Sequence, residues 1–330
     1  MKVIRYETYG EPAEVVKVVD EDTGTPGPGE IVIDIEAAPV HIADLKNLAG
    51  ERNFRLPLPA VPGYEGIGLV SAAGPGVTDY GEGSRVFLPV GCGAWRQQIR
   101  VKAENCFPAP EGDAVQLSLL PINAPTAEML LRDYGDLKKG DWIIQNAANS
   151  NCGVYLIKLA AMRGVRTVNV VRREAVMPQL KEMGADVILL DGPDLADRVR
   201  EATGGADIGL GLDAVNGDAT TRIGECLADG GTILAYGLLS GEPCHVPSDM
   251  LFLRDIRLEG YFMSRQLKKL PRAEQLEIYA HLAGLVANGT LAAQIAATYS
   301  LDSVIDAVRH AGRTGGDREG KIIMVPNRQE

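Results

Sequence analysis

The chain has 330 residues, 45% of them hydrophobic, with 33 basic against 44 acidic side chains and a formal net charge of −11. That apolar content supports a large core divided over two domains, and an acidic chain without a basic tract argues against nucleic-acid or anionic-membrane partners. No apolar run is long enough to span a bilayer, and the opening MKVIRYETYGEPAEVV holds no apolar signal segment, so a cytoplasmic protein acting on a small molecule is expected.

Residues 1 to about 120 read as an irregular, mostly antiparallel β domain. Short strands such as Glu30 to Glu36 and Arg85 to Leu88 are separated by Gly- and Pro-rich turns, TPGPGE, GPGV, YGEGS and PVGCG. Val61 to Val70, VPGYEGIGLV, sets glycines around Tyr64 and Glu65, as a bulged strand lining a cleft would. Cys92, Cys106, Cys152, Cys226 and Cys244 are odd in number, scattered and without a CxxC pair. They point to reduced thiols and away from a disulfide frame or a structural zinc cluster.

The segment Asp141 to Arg173, DWIIQNAANSNCGVYLIKLAAMRGVRTVNVVRR, reads as strand, turn, helix and strand. Trp142, Ile143 and Ile144 suit a buried parallel strand, and Val154, Leu156, Ile157, Ala160 and Ala161 recur at helical spacing up to Gly164. Arg166 to Val171 is a second strand. Strands then alternate with helices: Asp186 to Leu190, Asp207 to Val215 and Thr232 to Gly237, against Glu174 to Met183, Leu195 to Thr203 and Ala219 to Leu227. Alternation of this kind implies an α/β doubly wound parallel sheet over residues 121–264, with ligands at the carboxyl ends of its strands. The tail, with helices over Ala273 to Ala287 and Leu301 to Ala311 and a strand at Lys321 to Val325, returns to the first domain, which becomes 1–120 completed by 265–330.

A turn that ends a strand and opens a helix aims backbone N–H groups and the positive end of the helix dipole at one point, which favours a pyrophosphate. Here Gly153 occupies the close-packing glycine position, and Asn149, Ser150, Asn151 and Cys152 replace the glycine-rich turn. The alternative is an ordinary structural turn. At the end of the second strand a ribose 2′-hydroxyl asks for a carboxylate, whereas a 2′-phosphate asks for a guanidinium. Arg172 and Arg173 stand there ahead of Glu174, so the expected cofactor is NADPH.

With those residues in view, the chain resembles the zinc-free medium-chain dehydrogenase/reductases, nearest the 2-enoyl thioester reductase and NADPH:quinone reductase branch. The blocks that carry the resemblance are LPAVPGYEGIG, GAWR, INAPTA, QNAANSNCGVYLIKLAAMRGVRTVNVVRR, YGLLSG and MLFLRDIRLEGYFMSR, in that order. The resemblance implies a GroES-like β domain, a Rossmann domain, an active-site cleft between them and a homodimer joined through the Rossmann sheets. It also implies cofactor contacts at Asn123, the turn from Asn149 to Cys152, Arg172, Arg173, Tyr236, Gly237, Leu238, Tyr261, Phe262, Met263 and Lys321. Where zinc-dependent members carry ligands, this chain reads His41-Ile42-Ala43-Asp44 and Gly63-Tyr64-Glu65, without the cysteine-rich lobe, so no metal is expected.

One departure bears on the chemistry. Arg52 falls where enoyl thioester reductases place a tyrosine. Three residues are then candidates for catalysis: Arg52 as a fixed cation, Tyr64 as a phenolic donor and His41 as a group titrating near neutrality. The expected activity is NADPH-dependent hydride transfer to an electron-poor C=C bond of a 2-enoyl thioester or enone. The alternatives are an NADPH:quinone oxidoreductase and a non-catalytic NADPH-binding sensor or structural protein.

Overall fold

The computed structural model describes residues 1–52, 54–134, 137–313 and 320–327. The chain forms two compact units, Met1–Ile122 with Pro271–Glu330, and Asn123–Leu270. In chain order the first unit opens with β1 (Lys2–Arg5), α1 (Pro12–Val15), β2 (Lys17–Asp20), β3 (Glu30–Pro39) and α2 (Ile42–Ala49). There follow β4 (Ile67–Ala73), β5 (Arg85–Phe87), β6 (Gln98–Lys102), β7 (Phe107–Pro108), α3 (Ala114–Leu117) and α4 (Leu120–Asp133), which runs into the second unit. The second unit continues with β8 (Trp142–Gln145), α5 (Asn151–Arg163), β9 (Arg166–Val171), α6 (Met177–Glu182), β10 (Val187–Leu190), α7 (Leu195–Thr203) and β11 (Ile208–Asp213). It ends with α8 (Asp218–Glu225), β12 (Thr232–Ala235), α9 (Ser248–Phe252), β13 (Arg257–Gly260) and α10 (Met263–Leu267). The tail supplies α11 (Arg272–Ala287), β14 (Ile295–Tyr299), α12 (Val304–Gly312) and β15 (Lys321–Met324).

In the first unit β3 is the organising strand, pairing antiparallel with β4, β6 and β15. Its inward residues Ile31, Ile33 and Ile35 are fully buried, each worth about 1.5–3 kcal/mol of apolar transfer. Trp95 lies in the same core with its indole N–H donated to the Pro39 carbonyl at 3.2 Å. The tail is fastened here by β15 against β3, and by Tyr279 of α11, which stacks on Phe107 at 3.8 Å and donates to the Pro121 carbonyl.

In the second unit six strands run in the order β10-β9-β8-β11-β12-β13, every neighbouring pair parallel. The order reverses at β8 and β11, and crevices outside strand carboxyl ends at such a reversal are where open sheets bind ligands. A polar ladder crosses the buried sheet. The Gln145 amide donates to Asn169 Oδ1 at 2.8 Å, and the Asn169 amide donates to the Thr167 hydroxyl at 2.8 Å and the Val187 carbonyl at 3.1 Å.

Three local expectations change. Val61 to Gly66 is not strand, and β4 begins only at Ile67. Gly63 sits at φ +114, where a Cβ would stand 2.4 Å from the Ala94 nitrogen, and its carbonyl accepts from Gly93 and Ala94 instead of a neighbouring strand. Glu174 to Val176 is a tight 3-10 turn before α6, since Pro178 lacks the N–H a longer helix would use. The sheet also has a sixth strand, β13, whose sequence RLEG carries no apolar run because all four residues are exposed.

Candidate functional site

The turn after β8 is shaped for close backbone approach. Ser150 caps α5, its hydroxyl accepting from the Gly153 N–H at 3.1 Å. A Cβ on Gly153 would meet the Ala148 carbonyl oxygen at 2.6 Å, so only glycine lets the helix start so near the strand. Ala147 takes φ 48 to make the bend. Opposite, after β12, a Cβ on Gly237 would meet the Ala214 oxygen at 2.4 Å, so β11 and β12 continue into loops in equally close contact.

Asp213 ties these ends together. Its fully buried carboxyl accepts from Asn146 Nδ2 at 2.6 Å, the backbone N–H groups of Val215 and Asn216 at 2.8 and 2.9 Å, and the Thr220 hydroxyl at 2.6 Å. Asn146 in turn accepts from the Ala214 N–H at 2.8 Å. The two strands at the reversal are thus locked where the turn begins.

The expected cofactor residues gather at this carboxyl edge. Asn149 to Cys152 follow β8, Arg172 and Arg173 follow β9, Tyr236 to Leu238 follow β12, and Tyr261 to Met263 follow β13. Arg172 and Arg173 are exposed, and among the described residues neither forms an ion pair. Among the described residues, buried polar atoms at the edge lack a hydrogen-bond partner: Asn151 Nδ2 and Asn216 Oδ1, together with Asn123 Nδ2 on α4. The Cys152 thiol lies beside the Tyr236 phenol, and burial first and that thiol second hold the phenol far above its usual titration range. Unsatisfied donors and acceptors around the helix N-terminus after β8 fit a nicotinamide dinucleotide.

Two of the expected contacts also have interactions of their own within their units. The Tyr261 side chain is committed within the unit, its hydroxyl donating to Asp133 at 2.9 Å and its ring packing edge-on to Tyr134. Lys321 opens β15 in the first unit, where its charge acts on His41 and Glu65.

The first unit brings together the other candidates. The His41 and Tyr64 rings lie 5.9 Å apart, tilted by 34°. His41 caps α2: its Nδ1 accepts from the Ala43 N–H at 3.1 Å, and its own N–H donates to Asp44 Oδ2 at 2.8 Å. The other Asp44 oxygen accepts from the Gly63 N–H at 2.7 Å, so one buried carboxyl holds the backbone beside both rings. Asp44 was not among the expected site residues, although His41-x-x-Asp44 has capping-box spacing. Arg52 is exposed and has no bonding partner among the described residues, so nothing binds it to His41 or Tyr64.

The expected near-neutral titration of His41 is overturned. Burial, helped by the Lys321 charge, pulls its imidazole down to about 3, so the ring is neutral. Burial pushes Asp44 up to about 7 against the pull of three backbone N–H groups, and pushes Glu65 above the usual carboxylate range despite Lys321. Glu65 is fully buried; one oxygen accepts from the Ile122 N–H at 3.2 Å and the other has no hydrogen-bond partner among the described residues.

These shifts set the sign of the pH response. Carboxyls that hold their protons more tightly folded than unfolded contribute stability at low pH that is lost as pH rises from the usual 3.8–4.5 through about 7 for Asp44 and about 8 for Glu65. His41 acts oppositely, its contribution falling as pH drops from 6.5 toward about 3. Glu65→Gln should therefore flatten the decline in melting temperature between pH 5 and 8. An unchanged slope in that variant would contradict the assignment.

A zinc ion does not fit this donor set. Among the described residues no group of three or more His, Cys, Asp and Glu side chains could hold a metal. Tyr64 stands beside His41, and burial pushes the Cys92 thiol up to about 12, away from the thiolate that zinc requires.

Residues 27–111 match the family described as alcohol dehydrogenase GroES-like domain, and residues 152–277 that described as zinc-binding dehydrogenase. A mitochondrial enoyl-(acyl-carrier-protein) reductase of Caenorhabditis elegans is 32% identical over 298 residues, covering 88% of this chain and 85% of the relative. A solved mycobacterial quinone oxidoreductase is 26% identical with a TM-score of 0.86, covering 99% of this chain and 100% of that one. A mycobacterial structure complexed with NADPH matches with the same values.

Proposed function

We propose, from the premise that this chain belongs to the medium-chain dehydrogenase/reductase family, that it is an NADPH-dependent reductase of an electron-poor C=C bond conjugated to a carbonyl, with 2-enoyl thioesters as first substrates and enones next. The observation that carries the cofactor choice is the pair Arg172 and Arg173, exposed and without ion-pair partners directly after β9. Ser150, Asn151 and the first turn of α5 hold the pyrophosphate in this reading, with Asn123, Cys152, Tyr236 to Leu238 and the Tyr261 to Met263 segment around the remainder.

When bound, NADPH would supply the hydride for the carbon β to the carbonyl, and the α carbon would take a proton. Tyr64 walls the ring of His41, and Asp44 keeps the two aligned through their backbones. Lys321 adds its charge beside His41 and Glu65 in the first unit. Five cysteines outside any disulfide suit a reducing compartment; we take the cytoplasm, and the mitochondrial names of the relatives point to another compartment of the same redox character. No helix among the described residues is long and apolar enough to cross a membrane.

The partner we propose is a second copy of the chain, met at β13. That edge strand is exposed throughout, and Phe252 and Leu253 just before it are 73% and 72% exposed. A monomer by light scattering at micromolar concentration would remove this part.

A second reading, reduction of quinones, is favoured by Arg52 standing in the tyrosine's place and by the mycobacterial match. Metal-free protein given NADPH with a short enoyl thioester and, separately, a simple quinone decides between them. Thioester-dependent oxidation of NADPH is expected; turnover of the quinone alone would move the protein to the second reading. Tight NADPH binding with every acceptor left intact would instead favour a non-catalytic sensor.

A further inference from the structure

We infer that His41 is the hydrogen-bond donor to the substrate's carbonyl oxygen, acting through an Nε2–H whose position the cap of α2 fixes, and keeping that proton throughout the reaction. This rests on the proposed reduction of a conjugated carbonyl compound.

The tautomer follows from one bond. Nδ1 accepts from the Ala43 N–H, so its lone pair is in use and the ring's proton must sit on Nε2. A proton added at Nδ1 would break the cap and face the positive end of α2. The charged and titratable groups around the ring do not favour one either. Lys321 from β15 opposes a second positive charge, Asp44 spends its oxygens on backbone N–H groups, and Tyr64 presents its ring. Glu65, from the same loop as Tyr64, is pushed toward its neutral form by burial. The imidazole accordingly stays neutral far below pH 6.5.

Nε2 forms no hydrogen bond among the described residues, and His41 as a residue is only half-buried. Nδ1 and both Asp44 oxygens are engaged within the cap, which leaves the ring's Nε2–H open to an outside acceptor. When hydride adds to the β carbon, the electrons of the C=C bond move to join the α carbon to the carbonyl carbon, and negative charge collects on oxygen. A pre-positioned N–H lowers the energy of that charge without transferring a proton. The α carbon later takes a proton from solvent, the C=O bond reforms, and His41 is unchanged. The phenol absent at Arg52 is thus replaced in its oxygen-stabilising duty by an imidazole from the N-terminus of α2.

Ring-nitrogen NMR of the whole protein tests the state of His41 without any substrate, its signals identified among four histidines by their loss in His41→Gln. The neutral Nε2–H tautomer should persist from pH 5 to 8; titration near 6.5 would overturn the inference. In turnover, His41→Phe should lower kcat on the order of 100-fold with KM for NADPH unchanged. His41→Gln, which can present an amide N–H near the same place, should recover roughly a tenth of the wild-type kcat or more. Wild-type kcat in His41→Phe, or no recovery in a folded His41→Gln, would count against the donor role. Silence of the wild type with every acceptor would overturn the reductase reading and the donor role together, leaving the tautomer measurement intact.

Discussion

Replacing Arg172 and Arg173 together by alanine is expected to weaken NADPH binding by about 2 kcal/mol or more, roughly thirty-fold, while NADH loses far less. The two guanidinium groups leave β9 at the carboxyl edge of the parallel sheet, where the ribose of a dinucleotide lies in folds of this order. Neither forms an ion pair among the described residues, so a 2′-phosphate would not have to displace an internal partner. Both are exposed, which keeps the effect well below that of a buried pair and makes it salt-dependent. Titration of both cofactors into wild type and variant at two salt concentrations gives the comparison. An equal loss for NADPH and NADH would mean that the arginines act on the shared diphosphate or on folding, and the cofactor assignment would fall.

The parallel sheet was legible because its central strands are short apolar runs bounded by turn residues, as in Trp142 to Ile144. A strand buried on both faces has little other way to be written. β13 was not legible, because an exposed edge strand reading RLEG has no burial pattern to show. The polar framework was hidden for another reason. Gln145 finds Asn169 24 residues away and Asn146 finds Asp213 67 residues away, and only the folded sheet brings such partners into reach.

His41 and Tyr64 were legible as candidates through their positions, but the state of His41 was not. Its protonation is decided by burial and by Lys321 from the far end of the chain, neither of which is a local property. Gly63 shows the converse error. Three glycines in VPGYEGIGLV look like a bulged strand, yet a backbone at φ +114 packed against Ala94 cannot pair as one.

Asp213→Ala should be the most destabilising single change at the nucleotide edge. It strands four donors at once, the Asn146 amide, the Val215 and Asn216 N–H groups and the Thr220 hydroxyl. At about 1 kcal/mol for each buried donor left unpaired the loss is about 4 kcal/mol, a large share of the roughly 5–15 kcal/mol that holds an ordinary protein folded. Asp213→Asn separates geometry from charge. Its amide oxygen can still accept from Asn146, Val215 and Asn216, and its amide N–H₂ can donate to the Thr220 oxygen once that hydroxyl turns away. That variant should lose only about 1–2 kcal/mol. Thermal melting of all three proteins, with and without NADPH, makes the comparison. Alanine should remove most of the stabilisation that NADPH gives, because the ends of β8 and β11 would no longer be locked beneath the turn, whereas asparagine should keep most of it. If asparagine proved as damaging as alanine, a negative charge and not a framework of accepted hydrogen bonds would be what Asp213 contributes, and its fully buried oxygens would then have to act electrostatically on the cofactor edge.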